Sequence, residues 1–211
     1  MTTLGTLKSQ IADDLARGDL TTQIAAAINS AIDFYKEERF FINETRDATF
    51  VTVADQTTYD VDDDADIPLF IKIDAMFVED SDSQRFELDR IDPVEMEMLL
   101  NDGAATGRPV SWSYFNQAFS FYPIPDAVYT VRPMGQIEVA APAADDTTGN
   151  VWMTRGFELL RCTAKAYLYA HTIKNLQMAG VMGAAEGRAR DNLRRETSKR
   201  RASGQIVATQ F

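Results

Sequence analysis

The sequence predicts an α+β fold: a helical bundle, made of an N-terminal helical hairpin and a long C-terminal helix, into which an antiparallel β-rich subdomain is inserted. Two observations carry that expectation. Apolar residues recur at spacings of three and four towards both ends of the chain, the period of a helix buried on one side. Between them, from about residue 48 to residue 140, β-branched and aromatic residues come in short alternating runs separated by turn residues. The expected divisions are 1–47 with 151–185 for the helices, 48–150 for the insert, and 186–211 for a basic C-terminal arm.

Leu4, Leu7, Ile11 and Leu15 define a first helix over 4–17, with Gly18 placed to end it. Asp19, Thr21 and Thr22 offer cap oxygens to a second, along which Ile24, Ile28, Ala31, Ile32, Tyr35 and Ile42 share a face. Thr49–Val53 and Thr57–Val61 flank a turn at Ala54-Asp55-Gln56 and read as a β-hairpin. Leu69–Val78 alternates, and Arg85–Leu88 is placed to pair with it. Asp92-Pro93-Val94-Glu95 is a strong helix start, with a capping aspartate, proline at the first helical position and a glutamate able to reach back; it predicts a short helix at about 93–101. Val110–Phe115, Ala118–Pro123 and Val128–Pro133 are three further strands, the first two joined across Asn116-Gln117.

A loop is expected from Ala140 to Asn150, then a long helix from about Arg155, capped by Thr154 and buried nearly all round over 157–173. Gly180 and Gly183 predict a hinge or loop before a basic, weakly amphipathic helix over 186–201. Residues 202–211 read as a free tail carrying Ile206, Val207 and Phe211.

The 211 residues carry a net charge of -11 that is unevenly placed. Fourteen acids lie between Asp55 and Glu95 against Lys72, Arg85 and Arg90, whereas Glu186–Arg201 holds seven bases against three acids. Two surfaces with different partners would use such an asymmetry, although charge runs are commonly solvated faces. No apolar run reaches the length of a membrane span, and Met1-Thr2-Thr3-Leu4 lacks a secretory signal, so the chain reads as made in the cytosol.

Catalytic and cofactor chemistry finds little support. Cys162 lies in an apolar helical setting that predicts a buried, inert thiol, and His171 falls on an apolar helix face without a nucleophile or second ligand near it in sequence. One cysteine and one histidine do not make a structural zinc site, and no phosphate-binding glycine loop or nucleophile elbow occurs. Asp60, Asp62, Asp64 and Asp66 alternate like the start of a calcium loop, but Ala65 and Ile71 stand where glycine and glutamate are needed; a solvated acidic loop and a weak cation site both remain open. The basic run 188–201 has no interleaved aromatics for stacking bases, which leaves phosphate contact, docking to an acidic protein and a solvated face as readings. Trp112, Tyr114, Phe115, Phe119, Phe121 and Tyr122 put aromatics on both faces of adjacent strands, as core with a subunit contact or as a ligand groove. Phe34 and Phe41, seven apart, form a stripe separate from the Tyr35 face, with Glu37, Glu38 and Arg39 at its rim; this predicts a contact with a neighbouring subunit or with the β-rich insert.

The run "DLTTQIAAAINSAIDFYKEERFFINETRDATF" at 19–50, followed by "TTYDV", "RFELDRIDPVEME" and "FSFYPIPDAVYTVR", resembles the head-to-tail adaptors of tailed bacteriophages, also called connectors or tail accessory factors, most closely the podovirus type. The likeness covers most of residues 3–175 and contains no catalytic motif. It implies a cofactor-free structural protein, not an enzyme, located in the neck or tail of the virion and assembled in the host cytoplasm. Such a protein forms a homo-oligomeric ring of about twelve copies beneath the portal protein, extends the DNA channel without binding DNA specifically, and offers a platform to the next tail or nozzle protein. By matching position, helices at 21–42 and 155–178 would form the ring body and 48–140 the projecting part. Residues 186–211 would be the portal-docking arm, through Arg188, Arg194, Arg195, Lys199, Arg200, Arg201, Ile206, Val207 and Phe211. The alternatives are another neck or tail-completion protein and a virion-associated cell-wall hydrolase.

Overall fold

The computed structural model describes residues 2–101 and 104–201, and within them the chain is an α+β protein of two compact units. One comprises the described residues of Met1–Asn43 and Val139–Phe211, the other those of Glu44–Glu138.

In the first unit, α1 (Leu4–Leu15) is capped by the Thr3 hydroxyl, which accepts from the Thr6 amide, and buries Leu4, Leu7 and Ile11. It ends at Ala16, in the left-handed region at φ 48°, two residues before the expected Gly18; the amides of Ala16 and Arg17 both return to the last turn of the helix. Helix α2 (Thr21–Tyr35) turns Ile24, Ala27, Ile28, Ala31, Ile32 and Tyr35 inwards. It stops well short of residue 42. Asn43, fully buried, accepts from the Phe40 amide at 2.9 Å and donates to the carbonyls of Lys36 at 3.2 Å and Glu38 at 2.8 Å, so one side chain closes the turn that reverses the chain. Phe41 therefore lies in a 3-10 turn (Phe41–Asn43), and Phe34 and Phe41 do not share a helical stripe.

The expected long helix from Arg155 is instead several pieces. Asn150 accepts from the Trp152 amide at 2.9 Å and caps a single turn, α4 (Val151–Thr154). The Thr154 hydroxyl donates back to the Asn150 and Val151 carbonyls rather than capping the next helix. Gly156 separates α4 from α5 (Phe157–Tyr167); a Cβ there would stand 3.0 Å from the Trp152 ring. A π-helical turn (Leu168–Thr172) then widens the helix, and Lys174 at φ 60° ends it. Asn175 caps the next helix, accepting from Met178 at 3.1 Å.

That helix, α6 (Leu176–Arg201), runs unbroken through Gly180 and Gly183, where a hinge was expected. Each glycine costs about 1 kcal/mol relative to alanine, a cost that packing along α5 and burial of Leu193 and Thr197 offset. The boundary expected at 186 falls inside α6, and residues 186–201 are part of the helical unit. Trp152, Met153, Leu159, Leu160, Ala164 and Leu168 complete the core with α1 and α2.

The second unit holds two small sheets. One has the order β1 (Glu44–Thr45), β9 (Thr130–Ile137), β4 (Phe70–Glu79), β5 (Arg85–Glu87), with β2 (Phe50–Val51) also on β9. The other has the order β3 (Thr58–Tyr59), β8 (Ala118–Tyr122), β7 (Ser111–Phe115), β6 (Asp89–Arg90). The pairings are antiparallel except β6 with β7. Short helix α3 (Pro93–Leu100) starts as its sequence requires, the Asp92 carboxylate accepting from Val94 at 2.8 Å.

The expected pairings of β4 with β5 and of β7 with β8 form, the latter across Asn116 and Gln117, both at positive φ. The expected hairpin of 49–53 with 57–61 does not: β2 joins β9 in one sheet and β3 joins β8 in the other. The Tyr59 hydroxyl takes the Val53 amide at 3.1 Å and lies 3.0 Å from the Val53 and Gln56 carbonyls, occupying groups that a hairpin ladder would use. Between the sheets, Phe50, Tyr59, Phe70, Met76, Val78, Trp112, Phe119, Phe121 and Val131 form the second core. Gly135 lets β9 approach β4 at a register shift, since a Cβ there would stand 2.1 Å from the Lys72 carbonyl oxygen.

Candidate functional site

Burial, reinforced by Glu158, pushes the Cys162 thiol up to about 11, far from a nucleophilic thiolate. His171 is exposed at the π turn, not on the buried face, and its ring packs on Tyr167 at 4.5 Å. Among the described residues no group of three or more histidine, cysteine or acidic side chains is arranged to hold a metal. In the acidic loop, Asp60 accepts from the Asp62 amide and Asp64 from the Asp66 amide, both as local turns.

Several residues expected to face partners also meet one another. Glu38, its side chain 15% exposed, receives Arg190 at 2.7 Å and Arg194 at 2.6 Å and so ties the turn after α2 to α6. Arg200 stacks its guanidinium 4.1 Å from the Phe41 ring centre and pairs with Glu196 at 2.7 Å. The Phe41 amide donates to the Thr197 hydroxyl at 2.9 Å. Glu37 and Arg39 are engaged within the chain as well. Beside this junction the Tyr35 hydroxyl bonds Glu186, and burial followed by that carboxylate pushes Tyr35 up to about 12. Arg190, Thr197, Asn43 and Glu186 are the participants that sequence reasoning missed. The Arg190 and Glu186 contacts link positions about 150 residues apart, for which no local pattern exists.

What remains outward is more restricted. Phe34 is 64% exposed on α2, its ring edge-on to Tyr35 at 5.0 Å. It borders a mostly apolar pocket of about 280 Å³ with Ala27, Ser30, Ala31, Thr163, Tyr167 and Glu186. Tyr167 is itself half exposed there. Arg188, Arg195 and Lys199, spaced by seven and four, are exposed on the side of α6 away from Leu193 and Thr197, and Arg194 and Arg201 are exposed near them. Ile206, Val207 and Phe211 lie outside the described residues. In the β unit Trp112, Phe119 and Phe121 are core, while Phe115 is 72% exposed.

The described residues offer contact surface: an exposed aromatic over an apolar depression and a basic helix face. No helix among the described residues is long and apolar enough to cross a membrane. No curated protein matches the chain. The family model described as SU10 adaptor protein matches residues 2–208. With nearly the whole chain so matched, the protein belongs to the SU10 adaptor protein family, a family of phage structural adaptors.

Proposed function

We propose that this adaptor assembles as a homo-oligomeric ring, of about twelve copies, beneath the portal protein of the capsid. The ring extends the DNA channel and presents a platform to the downstream tail or nozzle protein. The observation that carries the reading is the family match over residues 2–208. The helical unit supplies the ring body, with Phe34 and its pocket as the contact between copies. Phe41, Glu37, Glu38 and Arg39 support that contact from the turn that Asn43 closes.

Arg188, Arg195 and Lys199 on α6, with Arg194, Arg200 and Arg201, face the portal. DNA passes without specific binding, which a chain of net charge -11 favours, since like charge repels the phosphate backbone. Assembly takes place in the host cytoplasm, and the ring lies in the neck of the virion. The test is sedimentation of the purified chain alone and mixed with its portal. A co-sedimenting complex of fixed stoichiometry is expected; separate sedimentation of the two at micromolar concentration overturns the reading.

A further inference from the structure

The β unit contains a positively charged trough within a strongly acidic setting. Residues 44–138 hold six basic side chains, and three of them, Arg46, Arg85 and Arg132, line one depression of about 500 Å³ on the outer face of the β9–β4–β5 sheet. Phe77 and Met134, both half-buried, form its floor, and Asp47 also lines it. The other three bases are occupied: Lys72 lies 3.9 Å from Asp74, Arg90 packs over Trp112 and Arg108 over Phe86.

In the trough, Arg85 pairs with Glu79 at 2.7 Å and the exposed Arg46 reaches Asp47 only at 3.9 Å. Arg132, half-buried opposite Phe77 on the adjoining strand, has no ion pair or side-chain hydrogen bond among the described residues. A half-buried guanidinium on an apolar floor is suited to a carboxylate arriving from outside.

The same unit carries a matching group. Loop residues 60–66 present Asp62, Asp63 and Asp66 outwards. The loop is held in shape by its own turns, with the Asp60 carboxylate taking the Asp62 amide at 2.8 Å and that of Asp64 taking the Asp66 amide at 2.9 Å. It enters β4 at Phe70, whereas the trough meets that strand at Phe77, beside Arg132 and Met134 of β9. At about 3.3 Å per residue Phe70 and Phe77 are about 23 Å apart. A chain with complementary patches so separated satisfies them through neighbouring copies, in a head-to-tail contact that closes into a ring or propagates.

We propose that the Arg46–Arg85–Arg132 trough of one copy receives the Asp60–Asp66 loop of the next. This rests on the ring reading and names a second contact within it, independent of Phe34.

The test uses the full chain on its portal, with rings counted by electron microscopy in about 0.15 M salt. Arg46→Glu with Arg132→Glu, and separately Asp62→Lys with Asp63→Lys, are each expected to reduce rings at least tenfold while thermal melts stay at the wild-type midpoint. All four changes in one chain should restore them. Should the Arg132 change lower the melt, Arg46→Glu alone serves, because that side chain is 77% exposed. Normal ring counts in either charge-reversed pair, or no restoration by the combined chain, overturn this proposal and leave the ring reading intact. Loss in the trough variant alone would mean that the trough holds a different acidic protein, and also overturns it. A wild-type chain that forms no rings overturns both.

Discussion

Phe34→Ala separates assembly from folding. A phenylalanine side chain covers on the order of 200 Å², and with Phe34 64% exposed roughly 130 Å² remains in water in the single chain. Covering that area in a contact between copies contributes about 3 kcal/mol at about 25 cal/mol per Å², or more than a hundredfold in the affinity of each contact. The part already buried, roughly 70 Å², contributes at most about 2 kcal/mol to folding, and nearer 1 once the compactness of the unfolded chain is counted. The variant should therefore unfold within about 1 kcal/mol of wild type in urea, followed by circular dichroism at 222 nm, yet form few rings on the portal by sedimentation. A stability loss of about 3 kcal/mol with undiminished assembly would refute this and return Phe34 to the core.

Other consequences concern the helical unit itself. Asn43→Ala removes three hydrogen bonds from a fully buried group; at about 1 kcal/mol each the urea-derived stability should fall by about 3 kcal/mol, and a loss under 1 would show that the turn does not depend on it. Cys162, with its thiol held up near 11, should react with iodoacetamide at pH 8 about a hundredfold more slowly folded than in denaturant; equal rates would contradict its burial. Asp14 is held below the usual carboxylate range, first by its hydrogen bond to Arg161 and also by Lys165. A depressed folded value means stability that is present above the unfolded value near 3.8 and is lost as pH falls through the folded one, so Asp14→Asn should flatten the stability profile below pH 4; an unchanged slope would remove Asp14 from the acid transition.

Much of the fold was legible where the determinant is local. Asp92-Pro93 fixes a helix start within three residues, and Asn116-Gln117 fixes a hairpin because both can take positive φ. The two-residue strands β2 and β3 were misread as partners because their sequences suit any edge, and the choice is made by Tyr59 and by distant strands β8 and β9. Gly180 and Gly183 suggested a hinge, yet their penalty of about 1 kcal/mol each is smaller than what a long helix gains by lying along α5. The exposed surface was half visible. Phe34 stood out as an aromatic off the buried face, and it is exposed. Phe41, Glu38, Arg194 and Arg200 looked equally outward, yet each also has a partner within the unit about 150 residues away, which no local pattern announces.

The central claim is most directly tested by adding the purified chain to capsids that bear the portal but lack the adaptor, and imaging the portal vertex. The account predicts a closed ring of about twelve copies below the portal, continuous with its channel, and gain of the tail when the downstream protein is supplied. Portal vertices that stay bare at saturating chain, or chain bound only along the tail away from the portal, would contradict it.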